Sequence, residues 1–554
     1  MKNVDIYCVN TGSEKSYQLG TTLLEIANDL NIQLENRICG AMVNNKLKEL
    51  SFLVVKSKTI EFIDISHPAG IRMYIHSVNF VLFAALKEVL PNVNLKIQHG
   101  ISNGFYCELE GLGHQVTESD IFSIKQEMDN LIELDIPFVQ KGLPTPEVVA
   151  KYKDEGLIEK SKLEDQQGHL YSFVYFLKEY ANYFYGQLLP STGYVHLYDL
   201  VPYFDGILLR VPKRKRPNKL GKIEVQNKLF EIYQEHKDWA EILNVATIGS
   251  LNDFSLQGKS GDIIKISEAL HEKKIAEIAN QISSQSTKIK VVLVAGPSAS
   301  GKTTFSKRLG VQLAVNGLHP YQLSLDNYFV DRESTPRDET GEFDFETLEA
   351  IDIEFFNEQL NKLLAGGNVN LPKFDFSRGK RVESDNYLQL KEDDILIIEG
   401  IHGMNPNLLP HIDHSKTFKI FLSALTQISI DEQNHISTAD NRLIRRLIRD
   451  SKYRGYSASE TIKRWPSVRK GEEKNIFPFQ ENADVMFNSA TIYELAVLKK
   501  YADPLLQSVY ENQPEYGEAT RLLRFLSYFK PIDESEIPPT SLLREFLGGS
   551  SFAY

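Results

Sequence analysis

Hydrophobic positions change their period several times along this chain. Over residues 1–65, short β-rich runs (VDIYCV, RICGAMVN, TIEFIDI) alternate with one amphipathic helical stretch, TTLLEIANDL, introduced by a glycine and a threonine cap. This predicts a small mixed α/β unit. From Gly70 a helical period predicts a long helix over about Met73–Leu90, stopped by Pro91. The strand-like NGFYCELEG, the helical ESDIFSIKQEMDNLIEL and the strand-rich YVHLYDLVPYFDGILLRVP follow, so 66–215 reads as a second, α+β unit. Residues 216–285 carry mostly helical pattern and read as a connector. At 290 the pattern changes to continuous apolar runs, VVLVAG, PYQLSL, DILIIEG and FKIFLSA, separated by helices or long loops. Such runs predict a parallel sheet flanked by helices over 286–510. The remainder, 511–554, reads as a tail with one short helix, LLREFL. The fold class is multidomain α/β.

Composition changes this picture little. Of 554 residues, 42% are hydrophobic and 25% charged, enough apolar material for several cores. A net charge of −12 excludes a whole-surface nucleic-acid binder, and the single basic cluster, Lys213-Arg214-Lys215-Arg216, reads first as a solvated linker. Three scattered cysteines, Cys8, Cys39 and Cys107, make neither a disulfide framework nor a CxxC metal site. No signal-like h-region opens the chain and no long apolar run is evident, so a cytoplasmic protein without a membrane partner is expected.

The chemistry concentrates at VVLVAGPSASGKTT, 291–304. Gly296 and Gly301 have the G-x-x-x-x-G-K-[ST] spacing. A buried strand entering a glycine turn and then a helix lets the backbone N–H groups of Ser298, Ala299, Ser300, Lys302, Thr303 and Thr304 curl around a triphosphate. Lys302 reaches the β/γ-phosphates and Thr303 the Mg²⁺. Asp326 ends the next strand, beside the phosphate loop, where a carboxylate accepts a proton from an attacking alcohol; a helix-cap role is the alternative. Glu399 ends DDILIIEG, the place of a carboxylate that holds Mg²⁺. NRLIRRLIRDSKYRGYS sets Arg442, Arg445, Arg446 and Arg449 at helical spacings, with Arg454 beyond. That is either a lid closing on polyphosphate or a solvated basic helix.

From about 288 to 510 these motifs, with EFDFETLEAID and LPKFDFSRGKR, resemble the uridine kinase and phosphoribulokinase group of P-loop kinases. The resemblance implies Asp326 as base, Lys302 as a catalytic cation, Glu399 as a magnesium ligand, Asp344 and Arg446 on the ribose hydroxyls, and Arg449 and Arg454 as lid contacts to ATP phosphate. Where the family reads the pyrimidine, this chain carries Phe374 and Gly379; Arg464 stands for a base-facing glutamine and Tyr456 for a second lid arginine. Residues 1–65 resemble the TGS module, a β-grasp domain of threonyl-tRNA synthetases. The region of about 70–212, on HSVNFVLFAALKEVLP and ISNGFYCELE, resembles the editing domain of threonyl- and alanyl-tRNA synthetases. That family's metal set is depleted here: His76 remains, but Phe80, Val201 and Asp205 fall at the other ligand positions, which implies a structural His76 and no zinc.

The implied function is an ATP- and Mg²⁺-dependent nucleoside kinase acting on the 5′-hydroxyl of uridine or a related ribonucleoside. A kinase of another small alcohol (sugar phosphate or pantothenate-like) and an RNA-associated regulatory NTPase remain alternatives. Expected partners are ATP and the nucleoside, with self-association and RNA binding by the N-terminal half left open.

Overall fold

The computed structural model describes residues 2–338, 341–375, 378–382 and 384–553. Phe376 and Ser377, inside the motif LPKFDFSRGKR, lie outside the described residues. Five parallel strands form the central sheet of the C-terminal half, in the order His319–Ser324, Asp394–Glu399, Val291–Ala295, Thr417–Ser423, Val485–Asn488. Its middle strand, VVLVA, is buried at every position, because helices cover both faces of a parallel sheet. The edge strand VMFN is too short to have shown in the periodicity. The sheet directs three chain segments to one crevice: the phosphate loop after Ala295, the turn after Ser324, and Glu399 at its own strand end.

Residues 216–285, read as a helical connector, carry the helices Asn227–Ile242, Ile248–Leu256 and Ser260–Ser283. The basic cluster forms a hairpin between Pro212–Lys213 and Arg216–Leu220. The helix Ser260–Ser283 then lays Ile275, Ile278, Ala279 and Ile282 against Val292, Val294 and the phosphate-loop helix, closing one face of the sheet. Residues 511–554, read as a tail, are packed as well. Tyr516–Ser527 is a helix, and Leu522, Phe525, Leu526, Phe529, Ile532, Leu543, Phe546 and Leu547 are buried in one core with the arginine helix. Their spacing was obscured by the polar, proline-containing stretch between Ile532 and Ser541.

At the N-terminus, strands Ser13–Gln18, Asn3–Cys8, Lys58–Ile63, Gly40–Val43 and Lys46–Glu49 form one mixed sheet, its first-to-last pairing (Asn3–Cys8 with Lys58–Ile63) parallel. The helix Pro68–Val89 starts a turn earlier than its pattern suggested, because His67 caps it through Ala69 N–H. It is long and apolar enough to cross a membrane, but its residues are mostly buried inside the protein. It packs with helix Glu118–Glu133 and a four-stranded antiparallel sheet running from Asn94 to Arg210.

The two halves interlock through the loop 424–437, which joins the fourth sheet strand to the arginine helix. Ile97 N–H donates to Glu432 O at 2.9 Å. The Glu432 carboxylate accepts from the N–H groups of Glu159 (2.6 Å) and Lys160 (3.1 Å) at a helix start, where an anion is favoured. Lys160, itself buried, donates to Gln433 (3.1 Å) and to Asn182, and faces Asp431 at 3.6 Å.

Candidate active site

The phosphate loop bends through Ala299 (φ +60°) and Gly301 (φ +84°) before the helix Lys302–Val315. Gly296 allows a close approach, since a Cβ there would lie 2.2 Å from Leu422 O. Lys302 Nζ folds onto the loop and donates to Gly296 O (3.0 Å) and Pro297 O (3.2 Å). Ser300 Oγ is buried without a hydrogen-bond partner. Thr303 Oγ1 donates to Glu399 Oε1 at 3.4 Å, so a hydroxyl and a carboxylate meet beside the helix start. Two oxygen donors at that place fit Mg²⁺, a hard cation held by one or two protein oxygens plus substrate phosphate.

Asp326 lies within the short 3₁₀ turn Leu325–Tyr328, which Ser324 caps; the cap role therefore belongs to Ser324. Asp326 keeps solvent contact at the crevice mouth. The protein around it nevertheless pushes its carboxyl above the ordinary range, while Lys302, Arg454 and Arg449 pull it down. Glu399 is pushed up too, first by burial and then by Asp326. Two neighbouring carboxylates, both raised, beside Lys302 are a pattern found at functional sites.

Glu346 is a third carboxylate that the sequence reading missed. Burial pushes it up to about 7, with Glu472 adding to the shift and Arg446 and Lys302 opposing it. Its Oε2 is shielded and has no hydrogen-bond partner. It lies two residues past Asp344, whose Oδ1 accepts from Glu346 N–H at 3.1 Å. An acidic residue within EFDFETLEAID was the available signal.

The arginine helix, Thr438–Arg449, divides its charges. Arg442 is 1% exposed and pairs with Glu472, which is fully buried; it also donates to Ser298 O at 3.1 Å. Arg445 pairs with Glu494 and donates to Ala299 O and Ser489. These two pin the back of the phosphate loop and cannot serve as lid contacts. Arg446 Nη1 donates to Ser298 Oγ at 3.0 Å, and its Nε to Asp450 at 3.1 Å. Arg449 and Arg454 also converge on Asp450, at the π-helical turn Asp450–Arg454. A buried carboxylate thus gathers three arginines at the crevice edge.

Phe374 and Arg464, expected to read the base, stand in different surroundings. Phe374 is buried in the core, edge-on to Phe329 with ring centres 5.8 Å apart, and its N–H donates to Asn327 Oδ1. Arg464 stands on the exposed face of helix Ala458–Asn475, its guanidinium 4.7 Å from the Tyr456 ring centre. At Gly379 (φ +67°) a Cβ would meet Arg332 Nε at 2.7 Å, so a side chain there would be strained and would displace Arg332.

In the N-terminal half, the position four past His76 is filled apolarly: Phe80 packs against Phe83, Phe138 and Phe184. Val201 sits in a strand pair opposite Leu208, and Asp205 accepts from Tyr106. Burial pushes His76 down to about 3.

The segment 291–496 matches the family described as Phosphoribulokinase / Uridine kinase. This segment is a P-loop kinase domain of that family. The part N-terminal to the kinase domain is similar to threonine–tRNA ligases. That of Syntrophomonas wolfei is 30% identical over 183 residues, 33% of this chain and 29% of the ligase. That of Thermotoga maritima is 28% identical over 192 residues, 34% of this chain and 29% of the ligase. The chain spans about 29% of the length of these curated relatives. Among solved structures, a "possible uridine kinase" of Bacillus stearothermophilus aligns with 39% of this chain and 98% of its own, at 20% identity and TM-score 0.27. A D-glycerate 3-kinase of Cryptococcus neoformans aligns with 46% and 87%, at 14% and 0.23. Scores this low carry no argument about substrate.

Proposed function

We propose that the protein is a cytoplasmic, ATP- and Mg²⁺-dependent kinase that phosphorylates the 5′-hydroxyl of a ribonucleoside, uridine or a relative. The observation that carries this reading is the meeting of Asp326 and Glu399 with Lys302 and Thr303 at the end of the parallel sheet. Thr303 and Glu399 would hold Mg²⁺, which neutralises phosphate charge when bound. Lys302 leaves its carbonyl partners for the transferred phosphoryl group, and Arg449 and Arg454 supply further positive charge. Asp326, already drawn toward protonation, takes the acceptor's proton late in the transfer. Asp344 and Arg446 would hold the vicinal ribose hydroxyls.

A second reading, a kinase of another small alcohol, is favoured by one specific observation. Phe374 is buried, Gly379 carries no side chain, and Arg464 is exposed, so the positions expected to read a base are not presented as a base-reading set. An RNA-gated NTPase remains a third proposal for the N-terminal half.

One panel tests all three: ATP consumption without RNA, offered uridine, cytidine, a purine nucleoside, 2′-deoxyuridine and small sugar alcohols. The nucleoside reading expects the deoxy substrate to lose more kcat/KM than any change of base, because a site that pairs a hydroxyl rejects the analogue lacking it. Equal use of 2′-deoxyuridine and uridine sinks the ribose assignment. ATP turnover only on addition of RNA selects the third proposal.

A further inference from the structure

The C-terminal stretch is seated against the phosphate loop. Glu545 Oε2 accepts from Thr304 N–H at 3.3 Å and from Thr304 Oγ1 at 2.8 Å. Both donors belong to the first turn of the 14-residue helix Lys302–Val315, where the amides and the helix dipole favour an anion. In the reading of the crevice as an ATP site, on which this inference rests, they face the nucleotide's inner phosphates. A carboxylate and a phosphoryl oxygen require the same N–H and the same hydroxyl. They exclude each other, and their charges repel.

Glu545 is held in place by its neighbours. Leu542, Leu543, Phe546 and Leu547 are buried on either side of it. Ser541 Oγ donates to Glu268 at 2.6 Å, and Arg544 Nη2 donates to Ile537 O at 2.7 Å. The Phe546 ring lies 5.0 Å from the Arg445 guanidinium, the residue that pins the phosphate loop from behind. Lys452, within the π-helical turn that gathers Arg446, Arg449 and Arg454, donates to Leu547 O. The same few residues therefore touch both sides of the nucleotide crevice. Gly548 (φ +83°) and Gly549 (φ +70°) follow at once, in a backbone region where only glycine is unstrained.

We propose that Glu545, seated by the packed segment around it, is a built-in plug of the nucleotide site, its carboxylate standing in for a phosphoryl group, and that ATP binding displaces that carboxylate.

The test uses the full chain with Mg²⁺ and measures ATP affinity by calorimetry for the wild type, Glu545→Gln and Glu545→Ala. A plug occupying the site about nine-tenths of the time lowers apparent affinity about tenfold, so Glu545→Ala should bind ATP about tenfold tighter. Glu545→Gln should fall between, and adenosine, which has no phosphate, should gain nothing. As a measurement independent of any variant, backbone hydrogen exchange of residues 541–549 in the wild type should rise when ATP is added. Equal or weaker ATP binding by a folded Glu545→Ala, or exchange unchanged by ATP, overturns the plug. If such a protein still phosphorylates a nucleoside, the plug alone has failed. A tenfold gain without turnover on any acceptor leaves the plug and sinks the nucleoside reading. ATP binding to none of the proteins removes both.

Discussion

Replacing Glu472 by leucine should strongly destabilise the protein. The carboxylate is fully buried and accepts from Arg442 through both guanidinium nitrogens, from Arg469 at 3.0 Å and from Ser298 N–H at 3.1 Å. Leucine removes all four bonds and leaves Arg442, 1% exposed, with only the Ser298 carbonyl and the ring faces of Trp465 and Phe477. Breaking a buried pair from one side costs about 3–5 kcal/mol, because the remaining charge is uncompensated. Because the two halves interlock, the melting unit is the whole chain of 554 residues, and at about 2.1 cal/mol/K per residue this becomes a fall in Tm of roughly 3–4 °C. Trp465 lies 5.3 Å from the Arg442 guanidinium, so tryptophan fluorescence during heating, read in a Trp239→Phe background, reports the region directly. The double variant Arg442→Met/Glu472→Leu removes the stranded charge and should recover much of the loss. A Tm shift under about 2 °C, or a double variant no more stable than Glu472→Leu, would refute this account of the pair. The sign with pH follows from the depressed carboxyl: burial alone would raise it, but Arg442 and Arg469 win. The pair's stabilisation is present above the ordinary glutamate range and is lost as pH falls through the lowered folded value.

Asp326→Asn should leave ATP affinity nearly unchanged while turnover falls by about two to four orders of magnitude; loss of ATP binding instead makes Asp326 a structural residue. His271 and His402, both buried, are pushed down to about 3 and about 4, chiefly by burial. The unfolded chain takes up protons below about pH 6.5 that the folded chain refuses, so stability should already decline between pH 6.5 and 5, by about 2 kcal/mol per histidine at pH 5. A Tm that is flat across that window contradicts it. Metal analysis of the purified protein should find no stoichiometric zinc, since Phe80 and Val201 stand at ligand positions; one zinc per chain, lost in His76→Ala, would restore an editing-type centre to the N-terminal half.

The parallel sheet was legible because its strands, buried on both faces, read as unbroken apolar runs, and the phosphate loop because glycine spacing is a local constraint. Four-residue VMFN left no such trace. The arginine helix misled for a physical reason. A run of cations without local partners looks solvated or ligand-facing, yet the partners of Arg442 and Arg445 arrive from 30 and 49 residues downstream. Glu472 and Glu545 reach the phosphate loop across separations of 174 and 241 residues. Contacts of that range leave no periodicity. Phe374 is ambiguous in the other direction: an aromatic at a family binding position is equally a core residue, and here it stands edge-on to Phe329.

The loop 424–437 has a consequence for how the chain can be divided. The stretch that matches a kinase family ends at residue 496, inside the helix Glu494–Gln507. A fragment cut at 291 and 496 would keep every nucleotide-binding motif. It would lose the helix Ser260–Ser283 from one sheet face, the seat of Glu432 on Glu159 and Lys160, and the bidentate grip of Arg521 on Asp440 at the start of the arginine helix. The stretch that matches the kinase family is therefore not, in this protein, a separable folding unit. Either half alone would present to solvent the charged and apolar groups that now bind the other.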